Sequence, residues 1–205
     1  MFKDRHDAAI QLAKKLEQYK NKDAIVLAIP RGGVPVSYVI AKELGLPMEI
    51  VLSKKIGHPR NPEYAIGSVS LHGFTINDNV DVSPEYINNE TKRILKELEE
   101  KFKLFMDNQK PVDLKNKIVI IVDDGIATGS TILATVDAIK KNNPQKIIIA
   151  VPVAPPSTAM KLEKAVDELI CLMTPLLFLS VGQFYTNFSQ VSDDEVMQLL
   201  HDIKV

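Results

Sequence analysis

The sequence has one cysteine, Cys171, so no disulfide framework can form within the chain, and its place in an apolar segment reads as a small buried hydrophobe. Charge of either sign is not in excess: 25 Lys and Arg stand against 26 Asp and Glu, which disfavours nucleic acid or a charged membrane surface as partner. No apolar run is long enough to span a bilayer, because the most apolar stretch, 169–179, is short and broken by Pro175. The first seven residues include Lys3, Asp4, Arg5, His6 and Asp7 with no signal-peptide-like run behind them, so a soluble, cytoplasmic protein without membrane contact is expected. Nine glycines include no G-x-G-x-x-G, which removes the dinucleotide fingerprint. Ser130 rather than Lys follows Gly129, which removes the P-loop, and the absence of G-x-S-x-G leaves no obvious hydrolytic nucleophile.

What is present organises around residues 118–131. Ile118 to Val122 are five consecutive β-branched apolar residues, the pattern of a strand covered on both faces. They run into Asp123-Asp124 and the small-residue turn Gly125-Ile-Ala-Thr-Gly129, after which Ile132, Leu133, Val136 and Ile139 mark a helix stopping near Asn142-Asn-Pro144. Ser130 or Thr131 is placed to cap that helix. A helix N-terminus beside the hydroxyls of Thr128, Ser130 and Thr131 makes an anion site, most naturally for a phosphate. Two acids touching that phosphate would repel it. They are therefore expected to face another part of the ligand, such as sugar hydroxyls or a cation.

A second loop of the same kind follows the buried strand 24–29: Pro30-Arg-Gly-Gly-Val-Pro35, opening onto a helix from Pro35 to Leu44 that Gly45 ends. Its double glycine and Arg31 suggest backbone brought close to an anion with a guanidinium at hand. An amphipathic helix over 4–20 precedes it. After a strand at 48–52, the segment Ser53 to Glu63 carries Lys54, Lys55, His58 and Arg60 among Gly and Pro without helical or strand period, and reads as a mobile basic loop. A hairpin is expected at 65–71 and 74–77 with His72-Gly73 at its turn, and then a long helix from Pro84 to about Asn108 with a solvated charged face. Strands at 146–153 and 167–173 flank a helix to about Ala165; the aromatic tail 174–192 leads to a last helix, Asp193 to Lys204, boxed by Ser192 and Glu195. Alternating strands and helices give an α/β, doubly wound, mainly parallel sheet whose ligand crevice lies at the carboxyl ends of its strands. At 205 residues and 45% hydrophobic, one domain is expected. Its core spans about 21–173, with a hood and C-terminal helix over 174–205 and a mobile loop over 55–63.

The stretch 118–131 closely resembles the phosphoribosyl-diphosphate (PRPP) signature of type I phosphoribosyltransferases, a hydrophobic strand, two acids and a Thr-Gly turn. The segments 30–34, 54–63 and 188–196 extend the resemblance over nearly the whole chain, to a group of such proteins whose acceptor is not settled. The resemblance implies transfer of ribose 5-phosphate from PRPP to a nitrogen nucleophile, with Mg²⁺ as cofactor and diphosphate as leaving group. Asp123 and Asp124 would hold the ribose hydroxyls and Ala127, Thr128, Gly129, Ser130 and Thr131 the 5′-phosphate. Arg31, Gly32 and Gly33 would hold the diphosphate, a cis peptide near Arg31 being typical of the family. Lys54 and Lys55, with His58 and Arg60 on the closing loop, would neutralise the leaving charge. Metal contact would run through PRPP, with Asp123 or Asp124 reaching it through water. Phe184 and Tyr185 are base-stacking candidates in the hood, with packing against the last helix as the alternative role. Dimers are common in the family, and the long helix or the hairpin could supply an interface, though no residue compels it. Two rival readings are a PRPP-binding regulator without transfer activity and a phosphosugar hydrolase, which lacks a nucleophile here.

Overall fold

The computed structural model describes residues 1–78, 80–107 and 109–203. The chain runs through α1 (Arg5–Lys15), β1 (Ala24–Ala28), α2 (Gly33–Leu44), β2 (Met48–Ile50), β3 (Ser53–His58), β4 (Asn61–Ser70), β5 (Gly73–Ile76) and α3 (Pro84–Met106). It continues through β6 (Ile118–Val122), α4 (Ser130–Lys140), β7 (Lys146–Val153), α5 (Pro156–Ala165), β8 (Glu168–Met173) and α6 (Asp193–Asp202). The expected helix ends at Asn108 and Lys204 lie outside the described residues.

Five strands pair in parallel in the order β2-β1-β6-β7-β8. Their unbroken apolar runs follow from cover on both faces. Val26, Ala28, Ile120 and Val122 pack with Leu12 of α1 and Ile40 of α2, while Ile25, Leu27, Val119 and Ile121 pack with Ile132 and Val136 of α4 and Leu162 of α5. The sheet is thus doubly wound, as expected. Chain order reverses between β1 and β6, and at such a switch point the crevice opens beyond the strand ends. No helix among the described residues is long and apolar enough to cross a membrane.

Several boundaries differ from the sequence reading. α1, capped by Asp4 accepting from the Asp7 amide at 2.9 Å, ends at Lys15 rather than near 20, and a 3-10 turn over Glu17–Tyr19 follows. That turn buries Tyr19, whose hydroxyl accepts from Lys146 Nζ at 2.6 Å and meets Glu168. α2 begins at Gly33, two residues before Pro35.

The largest difference is the segment expected as a basic loop without regular structure: β3 and β4 pair antiparallel from Ser53↔Ser70 to His58↔Asn61, with the register shifting around Gly57. With β5 they make a three-stranded antiparallel sheet. No period was legible because Lys54, Lys55 and residues 61–65 are exposed while the bulge at Gly57 breaks the alternation. The next turn is Leu71-His72, one residue earlier than expected, since Gly73 already pairs with Ser70 at a φ of 141° that glycine takes most readily.

His72 has a buried side chain, 5% exposed, with Nε2 3.8 Å from Glu49 Oε1, too long for a hydrogen bond. Burial pushes its pKa down to about 4. The folded state therefore binds fewer protons than the unfolded state between about pH 6.5 and pH 4, so stability is greatest above that window and falls as pH falls through it. Urea unfolding at pH 7 and pH 5 should show a loss on the order of 1–3 kcal/mol from this group, largely absent in His72→Gln. An equal pH slope in the variant would place the acid sensitivity elsewhere.

Candidate active site

The two small-residue loops leave neighbouring strands at the same height, because Ala28 pairs with Val122 and the Ile29 amide donates to Val122 O at 3.0 Å. The first begins with a cis Pro30–Arg31 peptide bond. It then packs through glycine onto the second: a Cβ on Gly32 would stand 2.0 Å from Asp124 Oδ2, and one on Gly33 2.7 Å from Val122 O. In the second loop Gly129, at φ 78°, is the N-cap of α4 and no side chain caps the helix, which corrects the expected Ser130 or Thr131 cap. Left-handed backbone at Gly129 turns the chain into the helix by itself. Thr128 and Ser130 hydroxyls lie 3.3 Å apart, and Ala127, Thr128, Ser130 and Thr131 are exposed at the start of the helix, where first-turn amides have no intrahelical partner. Thr158 Oγ1 donates to Ala127 O at 2.7 Å and steadies the turn from α5. Residues 127–131 thus present an open turn at a helix start, with amides and hydroxyls that an anion could meet.

Asp123 and Asp124 lie between the loops. Asp123 Oδ1 accepts from the Asp124 amide at 2.8 Å. Burial, and next the Asp124 charge, push the Asp123 carboxyl well above the usual carboxylate range. Burial also raises Asp124, but there Arg5 opposes it: Arg5 Nε and Nη2 both stand 2.8 Å from Asp124 Oδ2. Arg5 thus favours the charged form of Asp124 over that of Asp123. Arg5 went unrecognised in the sequence, where it is one charge in an amphipathic segment. The pairing joins residues 119 apart, and no local pattern announces it.

The hood closes over this pair. Tyr185 Oη donates to the Asp124 carbonyl at 2.5 Å, and the extended N-terminus adds to the hood through Phe2 N to Phe184 O, Thr186 N to Phe2 O and Asn187 N to Lys3 O, each 2.8 Å. Phe184 and Tyr185 are buried with Phe2, Ala8 and Val153, so as placed neither offers a face to a base, and the packing role is the one seen. Phe188 instead lines the cleft, with the Arg5 guanidinium carbon 4.0 Å from its ring centre and Tyr185 stacked at 5.0 Å. The cleft has a volume of about 480 Å³ and is bounded by Arg5, Arg31, Gly32, the acid pair and residues 188–191.

Arg31 reaches this cleft, its guanidinium 40% exposed and 3.5 Å from Asp193 Oδ1. The remaining basic candidates are not assembled with the acids. Lys54 Nζ is held by Glu97 at 2.7 and 2.9 Å, Lys55 Nζ by Glu63 at 2.8 Å, and His58 Nδ1 accepts from the Arg60 amide at 3.1 Å. Lys54 does border a recess of about 180 Å³ shared with Pro30 and Thr131, next to both anion loops. Lys54 and Lys55 also line a cleft of about 530 Å³ between β3–β5 and α4 that includes Ser130 and Thr131.

Residues 3–186 match the phosphoribosyl transferase domain family. Among curated proteins, the chain is similar to "Putative phosphoribosyl transferase Rv0571c" of Mycobacterium tuberculosis, with 38% identity over 205 residues covering 98% of this chain and 46% of the relative. The chain spans about half the length of the curated relatives it matches. Among solved structures it resembles TT1426 from Thermus thermophilus, with 31% identity, 98% of each chain covered and a TM-score of 0.89. A hypoxanthine phosphoribosyltransferase of Staphylococcus aureus shares the fold at 13% identity, covering 85% of this chain and 76% of its own, with a TM-score of 0.50. The chain belongs to the phosphoribosyl transferase family.

Proposed function

We propose that this protein transfers ribose 5-phosphate from PRPP to a nitrogen nucleophile, a nucleobase by preference, and releases diphosphate. The observation that carries this reading is the placement of two anion loops on adjacent strand ends with a carboxylate pair between them. A sugar bearing phosphates at both ends needs that spacing of charge: the cradle at 127–131 for the 5′-phosphate, Asp123 and Asp124 for the ribose hydroxyls, and Arg31 with the amide of Gly32 for the diphosphate, the Gly33 amide, expected to join them, being taken by Ile29 O at 3.0 Å. Binding the sugar at three points orients its anomeric carbon toward the acceptor. Arg31 meets the charge that grows on the leaving diphosphate.

Among the described residues, no three or more His, Cys, Asp or Glu side chains converge on a metal position. The donor set suits Mg²⁺ carried in with the diphosphate, which prefers phosphate oxygens and water, with Asp123 or Asp124 reaching it through water. Bound there, it would supply neutralisation of the diphosphate charge.

One observation favours a second reading, a PRPP sensor without transfer activity: Lys54 and Lys55, the expected charge stabilisers, are both engaged by glutamates. Screening purines, pyrimidines and simple amines for diphosphate release from PRPP with Mg²⁺ separates the two. Transfer predicts base-dependent release above the hydrolysis background. Millimolar PRPP that binds yet releases nothing with any acceptor would favour the sensor, and no binding at all would end both readings.

A further inference from the structure

Asp124 is gripped from both ends by segments far away in sequence. Its carbonyl accepts from Tyr185 in the hood, and its carboxylate oxygen Oδ2 accepts from Arg5 Nε at the opposite terminus, with Arg5 Nη2 in ion-pair contact at 2.8 Å. Arg5 is itself held on two further sides: Nη1 donates to Ser189 O at 2.8 Å, and the guanidinium lies 4.0 Å from the centre of the Phe188 ring. Its side chain is only 11% exposed, yet it borders the cleft. No ion pair among the described residues brings another cation to either acid.

We infer that Arg5 is a positioning residue of the sugar site: the N-terminal segment, joined to the hood, delivers a guanidinium that keeps Asp124 charged and oriented toward the ribose hydroxyls. This rests on the reading of the cleft as a PRPP site and adds a residue to it. The physical need is specific. Neighbouring carboxyls withdrawn from water do not both stay ionised, and a carboxylate accepts hydroxyl hydrogen bonds about twice as strongly as a neutral group does. A countercharge on Oδ2 keeps one acid anionic and leaves Asp124 Oδ1 without a salt-bridge partner among the described residues. Lysine would supply the charge but not the fork or the flat face against Phe188.

The test is calorimetric titration of PRPP with Mg²⁺ into wild type, Arg5→Gln, Arg5→Lys, Asp124→Asn and the Arg5→Gln/Asp124→Asn double variant. Arg5→Gln should weaken binding at least tenfold and Arg5→Lys should recover part of that loss. In the Asp124→Asn background Arg5→Gln should add less than twofold, since its effect runs through that carboxylate. Failure of wild type to bind would sink the PRPP reading, and this inference with it. Normal wild-type binding with an unchanged Arg5→Gln constant, with tighter binding in Arg5→Gln, or with fully additive losses in the double variant would overturn the role of Arg5 alone. Should Arg5→Gln fail to fold, Arg5→Lys decides: affinity equal to wild type overturns the inference, and a severalfold loss in a folded variant supports it.

Discussion

Asp123→Asn is expected to lower PRPP affinity by about 30- to 1000-fold, the equivalent of about 2–4 kcal/mol, while leaving the protein folded. The asymmetry of the pair makes this variant the cleaner one. Asp123 is the acid that burial and its neighbour push toward the neutral form, and its Oδ1 accepts one backbone amide, which an asparagine oxygen accepts equally well. The substitution therefore exchanges the carboxyl against the sugar for an amide and changes little else. Asp124→Asn has a second cost, because it leaves the nearly buried Arg5 guanidinium without its partner. Loss of one member of a buried pair is destabilising by up to about 3–5 kcal/mol, and here somewhat less because solvent still reaches the edge of Arg5. Calorimetry with PRPP and Mg²⁺, alongside urea unfolding, separates the two effects. Unchanged affinity in Asp123→Asn would remove Asp123 from the ribose.

Gly32→Ala is the second change with a large expected effect. Its Cβ would fall 2.0 Å from Asp124 Oδ2 and 2.5 Å from Cγ, so the carboxylate must swing away. That carboxylate is fixed by the Arg5 fork and by the Tyr185 bond to its own backbone, so moving it dismantles the acid pair and the first anion loop together. Binding should fall at least tenfold. Gly33→Ala meets backbone instead, 2.7 Å from Val122 O and 3.0 Å from Asp123 Cα, and a strand inside the sheet cannot yield as a side chain can. Overpacking of this kind costs about 1–3 kcal/mol. The pair of variants thus tests one contact by two readouts, affinity for Gly32 and unfolding for Gly33. If Gly32→Ala bound PRPP like wild type, the close approach of the two loops would not matter to the site.

The two small-residue loops were legible because each is written in consecutive residues: an apolar run long enough for a covered strand, then glycines, then helical spacing. The basic segment was legible only in charge. Its strand character was hidden because both faces near its tip are exposed and its register shifts at Gly57. For the same reason its lysines could be named but not placed, and both are found on Glu97 and Glu63. In the hood the aromatic residues stand close together in sequence, yet composition does not say which ring is buried. Phe184 and Tyr185 are covered by Phe2 from the other end of the chain, which leaves Phe188 at the cleft.

By itself the sequence determined the layered α/β class, the two small-residue turns and the chemistry of their side chains, because strand cover, helix starts and glycine turns depend on neighbours within a few residues. Only the tertiary structure decided that the turns leave adjacent strand ends at the same height, that Asp124 answers to Arg5, and that Lys54 and Lys55 lie in ion pairs. Those facts depend on contacts between residues as much as 119 positions apart, for which burial and electrostatics act through space and leave no period in the chain.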